Sequence, residues 1–300
     1  MNDEKLLIDV PQNKVTKEKK FKERTPIWTG CKAKLIERYL YYFVQITHNG
    51  TYIDGFAGPQ KIGKEDMWAA KLVLESRPRW FRNFHLFELN QKSIGLLEKL
   101  RDGQPPPDKL KREPKRRVEI YPGDFNVNIG AALKASPIAD KEASFCLLDQ
   151  RTLECNWESV NTVATHKKGG SKIELYYFFP EGWINRTIHA LKYDRDKKLE
   201  TWWGDSSWKE LLTVQGAERA DLVVKRFKNK FGYKNVNPFA IYERPYGRGR
   251  VMYYMIHASD HDAAPVLMNR AYGKALDIIE PPEQLGFLDT FLPAKVPDKI

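Results

Sequence analysis

Apolar residues recur at helical spacing in the first well-patterned segment, where Leu35, Ile36, Tyr39, Leu40 and Phe43 predict a helix from about Trp28 to Ile46 that stops at His48-Asn49-Gly50. Short apolar runs then alternate with helical stretches. TYID (51–54), NFHLFELN (83–90), RVEIYPGD (117–124), EASFCLLDQ (142–150) and KIELYYFFP (172–180) read as strands, and the segments at 67–76, 91–100, 126–133 and 157–167 read as helices. Alternation of this kind implies parallel strands joined by crossover helices, and the unbroken apolar run of KIELYYFFP suits a central strand covered on both faces.

From Glu181 to about Ser207 the alternation dissolves into charged, Trp-rich sequence that reads as a helical insertion. A helix rich in Lys and Arg resumes near Glu218, and PFAIYERP (238–245) and RVMYYMIHAS (250–259), separated by a glycine turn, predict a hairpin. The chain therefore divides into a basic arm (1–27), one α/β domain (28–275) and a C-terminal extension (276–300). No apolar run approaches the roughly 18 residues of a membrane span, and the charged N-terminus is unlike a signal peptide, so a soluble, cytoplasmic protein without membrane contact is expected.

Charge adds a partner to this picture. Fifty Lys and Arg against 39 Asp and Glu give a formal charge of +11, clustered at 14–24, at 109–117 and at 225–230, which suits a polyanion such as nucleic acid and equally a set of solvated faces with a disordered arm. Cys31, Cys146 and Cys155 lack paired CxxC spacing and read as free thiols. His257, Asp260 and His261 lie close together, but loop capping and hydrogen bonding account for them better than a metal does, and no metal is assigned.

The candidate chemistry lies at strand ends. TYIDGFAGPQKIG (51–63) places Asp54, Gly55, Phe56, Ala57 and Gly58 in the first turn after a strand, where open α/β sheets bind ligands and where glycine lets backbone approach them. The stretch lacks the G-x-G-x-x-G of a dinucleotide site and begins with an acid, which repels pyrophosphate but suits the cationic centre of S-adenosylmethionine. Glu88 closes the second strand, where a carboxylate can accept ribose hydroxyls. Asp124 follows the third strand and could accept from an adenine amino group with Phe125 on the ring, although a strand-end acid is also a common helix N-cap. Asp149 closes the fourth strand and could orient a methyl acceptor, with Gln150 and Arg151 as secondary candidates. Trp183, Trp202, Trp203 and Trp208 of the insertion either stack a base or close a core of their own.

Taken together, YIDGFAGP, FELN, GDFN, the LLD strand end followed by Trp157, IELYYFFP and YYMIHASDHDAA resemble the three-Cys-motif partner proteins over roughly Trp28 to Tyr272. The resemblance implies a Rossmann-like class I methyltransferase sheet, mostly parallel with a terminal antiparallel hairpin, and binding of S-adenosylmethionine. It also implies a companion protein that carries the cysteine motif and looks like a radical S-adenosylmethionine enzyme. Gln60 stands where many relatives have glycine, and Asp149-Gln150-Arg151 replaces an Asp-Pro pair. Two readings follow: a methyltransferase acting on nucleic acid with that companion, or a non-catalytic subunit that binds cofactor or nucleic acid. A nicotinamide oxidoreductase fits the acid-led loop poorly.

Overall fold

A computed structural model describes residues 27–189, 194–244 and 248–275. The basic arm, the C-terminal extension and the tip of the predicted hairpin turn lie outside these residues. The first helix, α1 (Ile27–Thr47), leads into β1 (Thr51–Asp54), α2 (Ala69–Glu75), β2 (Asn83–Glu88), α3 (Gln91–Asp102), β3 (Arg117–Pro122) and α4 (Phe125–Ala135). Then follow β4 (Ser144–Leu148), α5 (Trp157–Ala164), β5 (Glu174–Phe179), α6 (Glu181–His189), α7 (Asp194–Trp203), α8 (Ala217–Arg226), β6 (Asn235–Arg244), β7 (Arg248–Ser259) and α9 (Ala264–Ala275). Every strand expected from the pattern is present within a few residues of its expected bounds.

The seven strands form one sheet in the order β3-β2-β1-β4-β5-β7-β6. The pairs β3-β2, β2-β1, β1-β4 and β4-β5 are parallel, and β7 runs antiparallel to both β5 and β6. The hairpin therefore folds back so that its second strand, not its first, joins the parallel part. That insertion of the last strand is the arrangement of a Rossmann-like methyltransferase sheet. Strand order reverses beside β1, between β2 and β4, and ligands of open α/β sheets bind outside the carboxyl ends at such a switch point.

Burial explains the strand compositions. β1, β4 and β5 are buried along their whole length, because helices cover both faces. One apolar layer joins α1, α2 and α9 to one face through residues such as Tyr39, Phe145 and Met268, and the other joins α4, α5 and α8 through Ile129, Val160 and Val223. α9 was not foreseen in the sequence. Its apolar positions Leu267, Met268, Ala271 and Tyr272 repeat at helical spacing and are buried on α1 and β6.

The insertion folds as helices, as its sequence implies, but its tryptophans do not form a separate core. Trp202, Trp203 and Trp208 are buried in the main layer, with Trp202 stacked on Phe179 of β5 at 6.0 Å. The guanidinium of Arg226 sits over Trp157 at 4.3 Å and over Trp203 at 4.9 Å, and donates to Asp205 at 2.8 Å. Base stacking by these three side chains is thereby excluded by their burial. Trp183 alone of the four is exposed, at 42 %.

Gly204 closes α7 at φ +103°, and a methyl group there would overlap the Trp157 ring. Gly204→Ala is therefore expected to destabilise by about 2 kcal/mol or more, through both backbone strain and overpacking. Gly130→Ala, at an open position of α4, should be neutral or stabilising by up to about 1 kcal/mol. Chemical denaturation of both variants checks the pair; equal stability would mean that α7 is not seated on α5.

Candidate functional site

The carboxyl ends of β1, β2, β3 and β4 border a cleft of about 1110 Å³. The loop after β1 is pinned by three successive backbone donors. Gly55 N–H donates to Leu147 O of β4 at 2.9 Å, Ala57 N–H to Phe87 O of β2 at 2.8 Å, and Gly58 N–H to the Glu88 carboxylate at 2.7 Å. Gly55, Phe56 and Gly58 line the cleft, whereas Ala57 is buried beneath them and accepts from the Trp68 indole at 2.6 Å. A Cβ at Gly58 would overlap the Glu88 carboxylate, which is the physical reason for glycine there.

Asp54 supports this loop from behind and does not line the cleft. It accepts from Tyr52 Oη at 2.8 Å and from Phe56 N–H at 3.1 Å. Burial pushes its carboxyl up to about 7 despite these two bonds, and the nearby Asp149 and Glu88 charges add to the rise. Glu88 does face the cleft. Its other oxygen accepts from Asn90 N–H at 2.7 Å, so two backbone donors aim the carboxylate while lone pairs remain for a ligand.

Asp124 lines the cleft and is also the N-cap of α4, accepting from Asn126 N–H at 2.8 Å. Phe125 borders the cleft but is buried, its ring packed edge-on against Phe87 at 5.1 Å. Asp149 is almost buried and its oxygens are engaged by protein donors: Lys32 Nζ at 2.7 Å and Gln60 Nε2 at 3.0 Å. Gln60 thus enters the cleft wall with its amide committed to Asp149. Gln150 turns away from the cleft. Its amide donates to Phe178 O at 3.0 Å and accepts from Glu154 N–H at 2.9 Å and Cys155 N–H at 2.8 Å, so it braces the loop after β4 instead of meeting a substrate. Arg151 is exposed on the rim, its guanidinium reaching Pro59 O at 3.4 Å.

Two residues were not singled out in the sequence, one lining the cleft and one buried behind it. Leu89 is 73 % exposed at the cleft wall, immediately after the Glu88 carboxylate, and an apolar residue following a strand-end acid was the available signal. Lys32 was the other. It falls on the apolar face of α1, four and seven residues before Ile36 and Tyr39, and a cation on such a face demands a buried partner. Phe178 and Tyr253 rings flank its ammonium at 5.5 Å each.

The remaining candidates lie elsewhere. His257 Nε2 contacts Glu174 at 2.8 Å, where Ser259 and Tyr39 also donate, and Asp260 accepts from Lys172 N–H at 3.0 Å. His261 accepts from Ala263 N–H at 3.2 Å. No group of His, Cys, Asp and Glu suited to a metal occurs among the described residues. Cys146 and Cys155 are buried free thiols whose burial raises their pKa, in keeping with packing roles. No helix among the described residues is long and apolar enough to cross a membrane.

No family model and no curated protein matches the chain. Among solved structures, the methyltransferase domain of bacterial CtHen1-CN is similar at 9 % identity and TM-score 0.41 over 76 % of this chain and 98 % of that one. A Legionella pneumophila protein of the family DUF519 is similar at 10 % identity and TM-score 0.47 over 84 % of this chain and 93 % of its own. The assignment of a methyltransferase-like sheet rests on the strand order and direction described above.

The buried Asp54 makes stability pH-dependent in a defined direction. Its carboxyl titrates near 3.8 when unfolded and near 7 when folded, so its contribution is complete below about 3.8 and is lost as pH rises through 7. Between pH 5 and pH 8 the wild type should lose stability relative to Asp54→Asn, by up to about 3 kcal/mol. Urea unfolding of both proteins at pH 5, 6.5 and 8 measures this; a pH-independent difference would contradict the raised pKa.

Proposed function

We propose that the protein is an S-adenosylmethionine-dependent methyltransferase that acts on nucleic acid together with a companion of the three-Cys-motif kind. The observation that carries the reading is the Glu88 carboxylate, aimed into the cleft by Gly58 and Asn90 N–H groups beside the exposed Leu89. Such a carboxylate can accept both hydroxyls of a ribose, and Leu89, with Phe125 bordering the cleft, offers apolar surface to an adenine. Gly55, Phe56 and Gly58 line the part of the cleft that would take the amino acid end. The donor set fits the cofactor: carboxylates dominate this part of the cleft, and the cofactor carries a sulfonium charge.

When bound, S-adenosylmethionine supplies a methyl group made electrophilic by cationic sulfur. The chain's part is alignment, because an in-line displacement needs donor and acceptor held in position and water kept out. Asp149 lies on the acceptor side, at the end of β4. Lys32 and Gln60 fix its orientation, and its remaining lone pairs can accept from an acceptor N–H or O–H. A base within a duplex could not reach this depth, so an exposed or flipped base is required.

The same engagement favours a second reading. A carboxylate already met by an ammonium and an amide is a plausible structural strut, as in a subunit that binds cofactor or nucleic acid and positions its companion without transferring methyl groups. Under that reading Asp149→Asn leaves complex formation and cofactor binding intact, and no methylated product forms with any substrate.

Calorimetric titration with S-adenosylmethionine and S-adenosylhomocysteine, with NAD as control, should show micromolar binding of the first two alone. Glu88→Ala should weaken both by about tenfold or more, equivalent to the loss of hydrogen bonds to two hydroxyls. Gly58→Ala should do the same by displacing Glu88. Binding that is unchanged in both variants would sink the assignment.

A further inference from the structure

The cleft is larger than one cofactor needs, since pockets for ligands of that size span about 300–1,000 Å³, and its lining carries both signs of charge. Glu88 and Asp124 line it at the ends of β2 and β3, with Lys92 of α3 close after Glu88 in sequence. Arg151, after β4, and Lys197 and Lys198 of α7 line it as well. These three cations are exposed and make no ion pair among the described residues, whereas Arg77, Arg79, Arg117, Arg219 and Arg226 are all matched to carboxylates. Glu154, three residues after Arg151, is held by the N–H groups of Arg151 at 2.7 Å and Thr152 at 3.3 Å, and Glu158 and Glu200 line a smaller pocket with Lys197 without an ion pair to it.

A solvent-facing aromatic lies at the same edge. Trp183 sits in the first turn of α6, directly after β5, and its N–H donates to Pro180 O at 2.9 Å. β5 neighbours β4, and Gln150 ties the two strand ends together through Phe178 O. The Arg186 guanidinium covers one face of the Trp183 ring at 3.9 Å, leaving a cation and an aromatic together at the surface.

We infer that this half of the carboxyl edge is the seat of a single-stranded nucleic acid, with Arg151, Lys197 and Lys198 meeting its phosphates and Trp183 stacking a base. Free cations beside an outward aromatic are the combination by which sequence-tolerant single-strand binders hold backbone and bases at once. The inference rests on the nucleic-acid reading above and locates the strand on it. The insertion then has a functional outer side: its inner tryptophans anchor it to the sheet, and its outer lysines form one wall of the acceptor channel.

The test is fluorescence anisotropy of the full chain with a labelled 12-nucleotide RNA and its DNA counterpart across a salt series. Lys197→Glu/Lys198→Glu should bind about tenfold more weakly than wild type and lower the salt slope by about 1.4, the value for two lost phosphate contacts on a single strand. Trp183→Ala should weaken binding by about fivefold or more with the slope unchanged. Lys109→Glu/Lys115→Glu carries the same charge change in the loop before β3, at the opposite edge of the sheet, and should have a smaller effect. An equal loss in the control, or no loss in Lys197→Glu/Lys198→Glu, would overturn the proposal, as would a mononucleotide that binds where neither strand does. S-adenosylhomocysteine titration of the same variants separates the two readings: strand binding that follows the expected order without cofactor binding would keep this inference and remove the methyl-donor assignment.

Discussion

The hydrogen bond from Gly58 N–H to Glu88 is the contact on which the cleft depends. It joins the loop after β1 to the end of β2, and it exists only because residue 58 has no side chain. Parallel strands end at one edge, so the backbone donors of the loops that leave them converge there, and carboxylates are the acceptors that match them. Asp54 takes Phe56 N–H, Glu88 takes Gly58 and Asn90 N–H, and Asp124 takes Asn126 N–H. The acids thus shape the cleft before any ligand arrives. Preorganisation of this kind lowers the cost of binding, because the ligand does not have to order the loop.

Asp149 obeys a harsher version of the same constraint. It is nearly buried, and an unpaired charge there would cost several kcal/mol, which Lys32 offsets from a helix 117 positions away in sequence. The pair ties α1 to the β4 end of the cleft. Gln60 completes the link to the loop after β1, so the β1 and β4 sides of the cleft share one polar network. This coupling makes α1 part of the site although none of its residues was expected there.

The strands and most helices were legible because burial imposes period and length on sequence: an unbroken apolar run such as Leu175 to Phe179 can only be a covered strand. The site was legible in its positions and less so in its roles. Glu88 and Gly58 line the cleft at the strand ends. Asp54 has the right address but works from behind the loop, and Gln150 spends its amide on backbone, neither of which spacing along the chain can reveal. Trp202, Trp203 and Trp208 are buried, as the core alternative expected, but in the main layer and not in a core of their own, since composition marks an aromatic cluster without saying what it packs on. Lys32 was missed because its meaning lies in a distant partner, whereas α9 carried a local helical period that went unread.

The most direct measurement of the central claim is a crystal structure of the protein with S-adenosylhomocysteine. The account predicts ribose hydroxyls within hydrogen-bond distance of Glu88, the adenine against Leu89 and Phe125, and the sulfur directed toward Asp149. A ligand seated elsewhere, or one in this cleft whose ribose makes no contact with Glu88, would contradict it.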